Sequence, residues 1–130
     1  MHLLLASAVL GFLKGFLEPQ SAGPSSGFSF ETDIWGPARE ELIYRAAPLW
    51  AFPKLPYGST AVVFAVDHVL SDFTADKGTL TPTVALARFG DVLLGGLIYE
   101  RAFRKHGIGL AVGSHSLHNL AVSLGAKLRG

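Results

Sequence analysis

The chain consists of long apolar stretches separated by short polar segments. Residues 1–13 contain no Asp, Glu, Lys or Arg, and neither do residues 107–126. Residues 84–99 are apolar except for Arg88 and Asp91, which are three positions apart and can pair on one helix face. No segment of useful length alternates apolar and polar residues with the period of a strand. The pattern therefore predicts an all-α protein.

Proline, glycine and capping residues divide the chain into about five predicted helices. The first is apolar and covers residues 3–17, and a loop rich in Ser, Gly and Pro follows it over residues 18–36. Pro37 suits the first turn of a second helix, which Pro48 should kink or end by about residue 50. The other three helices are predicted at residues 59–70, at residues 82–103 and, after Gly107 and Gly109, up to about residue 128.

Composition places these helices either in a membrane or in an unusually apolar soluble domain. The 130 residues allow one domain, in which 49% are hydrophobic and 16% are charged, against about 25% charged in an average soluble domain. A net charge of +1 without a Lys/Arg stripe argues against a nucleic-acid partner. The absence of cysteine excludes a disulfide scaffold, an iron–sulfur site and a thiol nucleophile. We favour a bundle that crosses the lipid bilayer several times.

Ionisable side chains occur inside the predicted apolar helices at helical spacing. In the string E-E-L-I-Y-R, Glu41 and Arg45 are four residues apart and can form an ion pair along the second helix. Adjacent helix positions differ by about 100° in direction, so one arrangement has Glu41 held by Arg45 while Glu40 projects into the bundle. Phe64 and His68 are also four residues apart and share one face of the third helix. Such groups are costly in an apolar setting, which makes them candidates for function.

The last helix adds His115 and Asn119, which are four residues apart on one face in the string H-S-L-H-N. If the three helices converge, the carboxylate of Glu40 meets two imidazoles and one carboxamide in an apolar cavity. A carboxylate there can act as a general base toward water, and His and Asn can donate hydrogen bonds to a developing oxyanion. This set is typical of a hydrolase that uses water as the nucleophile. His118, in the same string, is placed beside the site.

The three strings, in this order, resemble the CPBP family of intramembrane proteases. That family includes the CaaX prenyl endopeptidases and bacterial relatives connected with bacteriocin processing and immunity. Its signatures are E-E-x-x-x-R, F-x-x-x-H and H-x-x-x-N, each on a membrane helix. The matching residues are Glu40, Glu41, Arg45, Phe64, His68, His115 and Asn119. The stretch L-L-G-G-L-I-Y-E-R at residues 93–101 also resembles the helix before the third motif, and the resemblance covers residues 37–124.

The resemblance implies a role for each matched residue. Glu40 would be the base that activates water, and His68 would assist the water or the catalytic cavity. His115 and Asn119 would form the oxyanion site. The remaining matched residues would support the site: Glu41, Arg45 and Phe64.

Metal dependence stays open at this point. Members of the family are often described as metal-dependent, and Glu40, His68 and His115 are residue types that ligate zinc. The same three side chains could also work without a metal. No cofactor is therefore certain, and zinc is the candidate.

Together, these features predict a multi-pass membrane protein of a bacterial cell membrane. It would consist of an apolar helix (1–17), a loop (18–36) and a CPBP-like helical core (37–130), and it would act as an intramembrane endopeptidase on a peptide or membrane-protein substrate. One alternative is a catalytically silent membrane protein of the same fold that binds a peptide or confers immunity. A second alternative is a soluble helical bundle that binds a metal, with the ligands Glu40, His68, His115 and His118.

Overall fold

The computed structural model describes residues 1–17, 28–75 and 81–129, and the regular structure in these ranges is entirely helical. Helix α1 covers His2–Leu17, α3 covers Ser59–Ala75, α4 covers Pro82–His106 and α5 covers Ile108–Arg129. Helix α2 is a continuous helical segment made of a π-helical turn Glu31–Trp35, an α-helical part Gly36–Glu41, a second π-helical turn Leu42–Ala46 and an α-helical part Ala47–Ala51. The prediction of an all-α protein with about five helices is confirmed.

Helix α2 begins earlier than the sequence predicts. The predicted loop 18–36 is wrong in its last residues, because a π-helical turn already starts at Glu31. The backbone N–H of Ser29 donates to the carboxylate of Asp33 at 2.8 Å. This bond resembles one half of a capping box, which stabilises a first helical turn. The polar composition of the segment hides this signal, and residues 18–27 lie outside the described residues.

Pro48 lies inside α2 and does not end it. Proline lacks an N–H group, and its ring crowds the carbonyl four residues earlier in an ordinary α-helix. The turn that precedes it, Leu42–Ala46, is π-helical and therefore wider, which accommodates the ring. The helix ends at Ala51, where the N–H of Phe52 donates to the Pro48 carbonyl at 2.8 Å. The predicted end near residue 50 is therefore close to the observed one.

Helices α1 and α5 run parallel in close backbone contact. A Cβ atom on Gly11 would lie 2.3 Å from the carbonyl oxygen of His118. A Cβ atom on Gly15 would lie 1.9 Å from the carbonyl oxygen of Val122. Only glycine permits such an approach, as at the small-residue contacts of membrane helices. The contact holds α1 against the helix that carries the third motif.

Replacing Gly15 with alanine should lower the thermal stability. The new Cβ would meet a backbone oxygen at 1.9 Å, so α1 and α5 must separate, and overpacking of this kind costs about 1–3 kcal/mol or more. The control is Gly113→Ala on α5, where an added Cβ has nothing within 4 Å and alanine is favoured over glycine by about 0.5–1 kcal/mol. Circular dichroism melting should show a lower Tm for Gly15→Ala only. Equal shifts would contradict the close contact.

Glu100 joins α4 to the start of α3. Its buried carboxylate accepts hydrogen bonds from the N–H of Gly58 at 3.0 Å and the N–H of Ala61 at 3.2 Å. The hydroxyl of Thr60 donates to it at 2.7 Å, and Nε of Arg104 donates at 2.8 Å. A carboxylate at this position satisfies N–H groups that have no partner within the first turn of a helix. Glu100, from the string Y-E-R, therefore caps a neighbouring helix.

Arg88 and Asp91 of α4 bind residues of two other helices. Nε of Arg88 donates to Asp72 of α3 at 2.8 Å, and Lys14 of α1 donates to Asp91. The sequence predicts that the two side chains can pair with each other on one face of α4, and these ion pairs also connect α4 to α3 and to α1.

Gly107 reverses the chain between α4 and α5. Its φ is +82°, in the left-handed region that favours glycine, and its N–H donates to the carbonyl of Phe103 at 2.8 Å. The reversal places the two helices antiparallel and in contact. As a result, the ring of Tyr99 stacks on His115 with centroids 4.4 Å apart.

Polar side chains occupy much of the interior, and large apolar side chains cover much of the surface. Among the described residues, ten buried side chains are polar or charged and nine are hydrophobic, while 24 large hydrophobic side chains are exposed. In a protein surrounded by water the exposed apolar surface is usually divided into small patches. This distribution is the reverse of the one expected for a soluble core.

Helix length and composition identify one candidate membrane span among the described residues, α4 at Pro82–His106. Helix α1 is apolar but has only 16 residues. The predicted multi-pass arrangement is therefore not established by the helices themselves.

Candidate active site

The three sequence motifs meet around the carboxylate of Glu40. Its Oε2 atom lies 3.6 Å from Nε2 of His115 and 3.8 Å from Nε2 of His68. The three side chains come from α2, α5 and α3, so the site depends on the packing of three helices. The convergence expected from the sequence is present, and the catalytic roles remain predictions.

Glu41 points away from this cavity into the interior. It is fully buried, and its Oε1 lies 3.4 Å from Nη1 of Arg45. Oε1 also lies 2.9 Å from Nδ1 of His115. The ion pair with Arg45 confirms the prediction made from the four-residue spacing. The contact between Glu41 and His115 joins two helices and could not be predicted from spacing within one helix.

The hydrogen bonds of the two imidazoles fix which nitrogen faces Glu40. An ionised carboxylate and a carbonyl oxygen only accept hydrogen bonds. His115 therefore carries a proton on Nδ1, where it donates to Glu41, and His68 carries one on Nδ1, where it donates to the Phe64 carbonyl at 2.9 Å. In the neutral form of each ring, Nε2 is then an acceptor that faces Glu40. Three hydrogen-bond acceptors, Oε2 of Glu40 and Nε2 of each imidazole, therefore face one another across a short gap.

The ring of Phe64 packs against both imidazoles and against Arg45. Its ring lies 4.1 Å from the ring of His68 and 5.8 Å from that of His115, measured between centroids. The guanidinium of Arg45 lies 4.2 Å from the centre of the Phe64 ring, an arrangement that stabilises a cation. Nη2 of Arg45 also donates to the carbonyl of Gly96 at 3.3 Å. Phe64 and Arg45 thus support the site from behind.

Asn119 has one hydrogen bond to the backbone of α2. Its Nδ2 donates to the carbonyl of Thr32 at 3.1 Å, and the side chain lines the same cavity as Glu40. A carboxamide has two N–H donors, so this bond leaves the second donor for a ligand. The predicted oxyanion role remains compatible with this position.

The cavity at the site has a volume of about 210 Å³ and a second group of polar residues on its wall. Those additional residues are Lys14, Arg88, Asp91 and His118. Sequence reasoning missed Lys14 as a part of the site. The signal that could have found it is a single charge within an otherwise apolar helix.

A second cavity, of about 390 Å³, lies on the other side of Glu40 and His68, which line both cavities. Its wall also contains Tyr44 and Asp67, joined by a hydrogen bond of 2.5 Å from the Tyr44 hydroxyl. A ligand bound across Glu40 would therefore have space in both cavities.

No metal site is identified at the predicted zinc ligands. Among the described residues, no group of three or more His, Cys, Asp or Glu side chains is placed to hold a metal ion. The same result applies to the ligand set of the soluble alternative, which adds His118 to these three residues. We therefore derive no catalytic step through a metal at Glu40, His68 and His115.

Comparisons with known proteins found no relative of this chain. A scan against protein-family models, a search of curated proteins and a search of solved structures each gave no match. Membership of the CPBP family remains a proposal that depends on the motifs.

Proposed function

We propose that the protein is a membrane-embedded endopeptidase in which Glu40 activates water for hydrolysis of a peptide bond. The observation that carries the proposal is the convergence of Glu40 Oε2 with Nε2 of His68 and Nε2 of His115 on a cavity wall. Three acceptors around one point need a hydrogen-bond donor between them, and water has two O–H groups to donate. The resemblance to CPBP proteases agrees with this chemistry.

The proposed reaction is a direct attack of water on the substrate carbonyl. Glu40 takes a proton from water as the water oxygen bonds to the carbonyl carbon. The free N–H of Asn119 stabilises the negative oxygen of the tetrahedral intermediate. Glu40 then gives its proton to the departing nitrogen as the C–N bond breaks, and the products are a carboxylic acid, which ionises in water, and an amine.

His115 and Glu41 act together in this scheme. Nε2 of His115 accepts a hydrogen bond from the attacking water and helps to hold it, while Asn119 stabilises the oxyanion. The buried carboxylate of Glu41, 2.9 Å from Nδ1, keeps the ring in this orientation. Arg45 balances the charge of Glu41 at 3.4 Å.

Placement of the bundle in a membrane accounts for the distribution of its side chains. Lipid would cover the exposed apolar residues of all five helices, and the buried polar residues would lie inside the bundle, where intramembrane ionisable groups are usually found. Helix α4 is long enough for a span, and the shorter α1 packs against α5. The substrate class that fits this setting is a peptide or a segment of a membrane protein.

Membrane extraction followed by a cleavage assay tests the proposal. The expressed protein should stay in the membrane pellet after sodium carbonate treatment. After purification and reconstitution in lipid vesicles, it should cleave members of a library of transmembrane peptides, with new termini detected by mass spectrometry against protein-free vesicles. Release by carbonate would contradict the membrane placement. A folded protein that cleaves nothing would contradict the enzyme and favour the catalytically silent alternative.

A further inference from the structure

A basic pocket lies at the end of the bundle that contains Gly107, away from the candidate active site. It has a volume of about 210 Å³ and is lined by Tyr57, Arg101, Arg104 and Lys105. Three of these residues belong to the last two turns of α4, and Tyr57 belongs to the connection before α3. The pocket shares no residue with either cavity at Glu40.

The charges in this pocket are only partly balanced. Arg104 is neutralised by Glu100, whose Oε1 lies 2.7 Å from Nη2, and it also donates to the carbonyl of Leu55 at 2.8 Å. Arg101 and Lys105 are exposed and have no hydrogen bond or ion pair with any residue in the described ranges. They are four positions apart on one helix face, where like charges destabilise a helix. An anion between them would remove this repulsion.

The side chains suit a phosphate group. The guanidinium of Arg101 offers parallel N–H donors that match two phosphate oxygens, and the ammonium of Lys105 adds a point charge. The hydroxyl of Tyr57 donates to the carbonyl of Leu97 at 2.8 Å, which fixes the ring as one wall. Burial raises the pKa of Tyr57, and Glu100 raises it further, so this hydroxyl keeps its proton. The helix dipole of α4 favours cations in its last turn, but it does not account for Arg101 one turn earlier.

The surroundings of the pocket point to a membrane surface. The pocket lies at the C-terminal end of α4, the helix that is long and apolar enough for a span. Trp50, Phe52 and Tyr57 are exposed at the same end, and aromatic side chains concentrate at the interface between lipid and water.

We infer that this pocket binds the phosphate group of an anionic lipid. Basic pockets at the surface of membrane helices bind lipid headgroups in this way. The inference uses the membrane placement proposed above, and it does not depend on the proposed proteolysis. An occupied pocket would fix the end of α4 at the level of the headgroups.

Calorimetric titration of the full chain in nonionic detergent tests the pocket. The probes are dihexanoyl phosphatidic acid, dihexanoyl phosphatidylcholine and inorganic phosphate. The variant Arg101→Gln/Lys105→Gln removes both unbalanced charges, and Lys54→Gln/Lys127→Gln removes two exposed charges outside the pocket. Arg101→Lys keeps the charge and removes the planar fork, and thermal melting checks that each variant folds.

The wild type should bind phosphatidic acid more tightly than either other probe. The pocket variant should weaken this binding by about ten-fold or more, the Arg101→Lys variant should weaken it less, and the control variant should change it by less than about two-fold. Equal affinity for inorganic phosphate would overturn the lipid assignment. Equal losses in the pocket and control variants would overturn the pocket itself, because binding would then follow net charge alone.

Discussion

Replacing Glu40 with glutamine should lower kcat/KM for peptide cleavage by about 10²–10⁴-fold, the usual contribution of a general base. Glutamine keeps the size and one acceptor oxygen of glutamate, but it cannot take a proton from water. Glu40 is only partly buried, and its ion-pair contacts in the described residues are long, at 3.6 Å to His115 and 3.8 Å to His68. The fold should therefore tolerate the change. Initial rates on a cleaved transmembrane peptide, measured in lipid vesicles, give the comparison.

The matched control for this change is Glu31→Gln. Glu31 is an exposed glutamate in the first turn of the same helix and lines neither cavity at the site. Its substitution should leave kcat/KM within about two-fold of the wild type, as expected for an exposed surface charge. Cleavage that persists in the Glu40 variant would contradict the role of this carboxylate, and an equal loss in both variants would point to a general effect of charge on α2.

Replacing Glu100 with alanine should destabilise the fold by about 1–3 kcal/mol or more, as expected when buried hydrogen-bond donors lose their acceptor. The change leaves Arg104 without its carboxylate. It also removes the acceptor for the N–H of Gly58 and the hydroxyl of Thr60, which lie at 3.0 Å and 2.7 Å from it. Denaturant or thermal unfolding in detergent, followed by circular dichroism, measures the loss.

The variant Glu100→Gln separates the effect of the negative charge on stability from the effect of the side chain's shape. Glutamine keeps an acceptor oxygen at the start of α3 but loses the ion pair with Arg104, so its loss of stability should be smaller than that of alanine. Because Glu100 lines neither cavity at Glu40, the folded fraction of both variants should keep the wild-type KM. An unchanged Tm in the alanine variant would contradict the capping role.

Local spacing was sufficient to predict the motif geometry within each helix. Glu41 and Arg45 form the expected pair, and Phe64 lies beside His68, because residues four apart are neighbours on any α-helix. The pairing of Glu41 with His115 could not be predicted in this way. It joins residues 74 positions apart and depends on how α2 packs against α5.

Two other features of the fold could not be predicted from sequence patterns, each for a different reason. The π-helical turns on both sides of Gly36–Glu41 change the direction in which side chains leave α2. A prediction that uses the regular period of an α-helix does not include such turns. Lys14 lies in α1, an apolar helix that the sequence predicts only to pack against other helices or to span the membrane. Its ion pair with Asp91 on the cavity wall comes from the contact between α1 and α4.

The scarcity of charged residues acquires a structural meaning in the folded chain. Glu41, Arg45 and Glu100 are fully buried, and each lies beside an oppositely charged group. Each also bonds to another helix: Glu41 to His115, Arg45 to the carbonyl of Gly96, and Glu100 to the N–H of Ala61. These buried groups therefore hold neighbouring helices in a fixed arrangement. That arrangement brings Glu40, on the turn beside Glu41, to the two imidazoles.

The source of the attacking oxygen tests the central claim most directly. The purified wild type, in lipid vesicles prepared in H₂¹⁸O, is allowed a single turnover of a cleaved transmembrane peptide in the presence of hydroxylamine, and the products are analysed by mass spectrometry. Direct attack by water held at Glu40 predicts ¹⁸O in the new carboxyl terminus and no hydroxamate. A hydroxamate product would reveal an acyl-enzyme on a side chain, and it would contradict the account, as would the absence of cleavage.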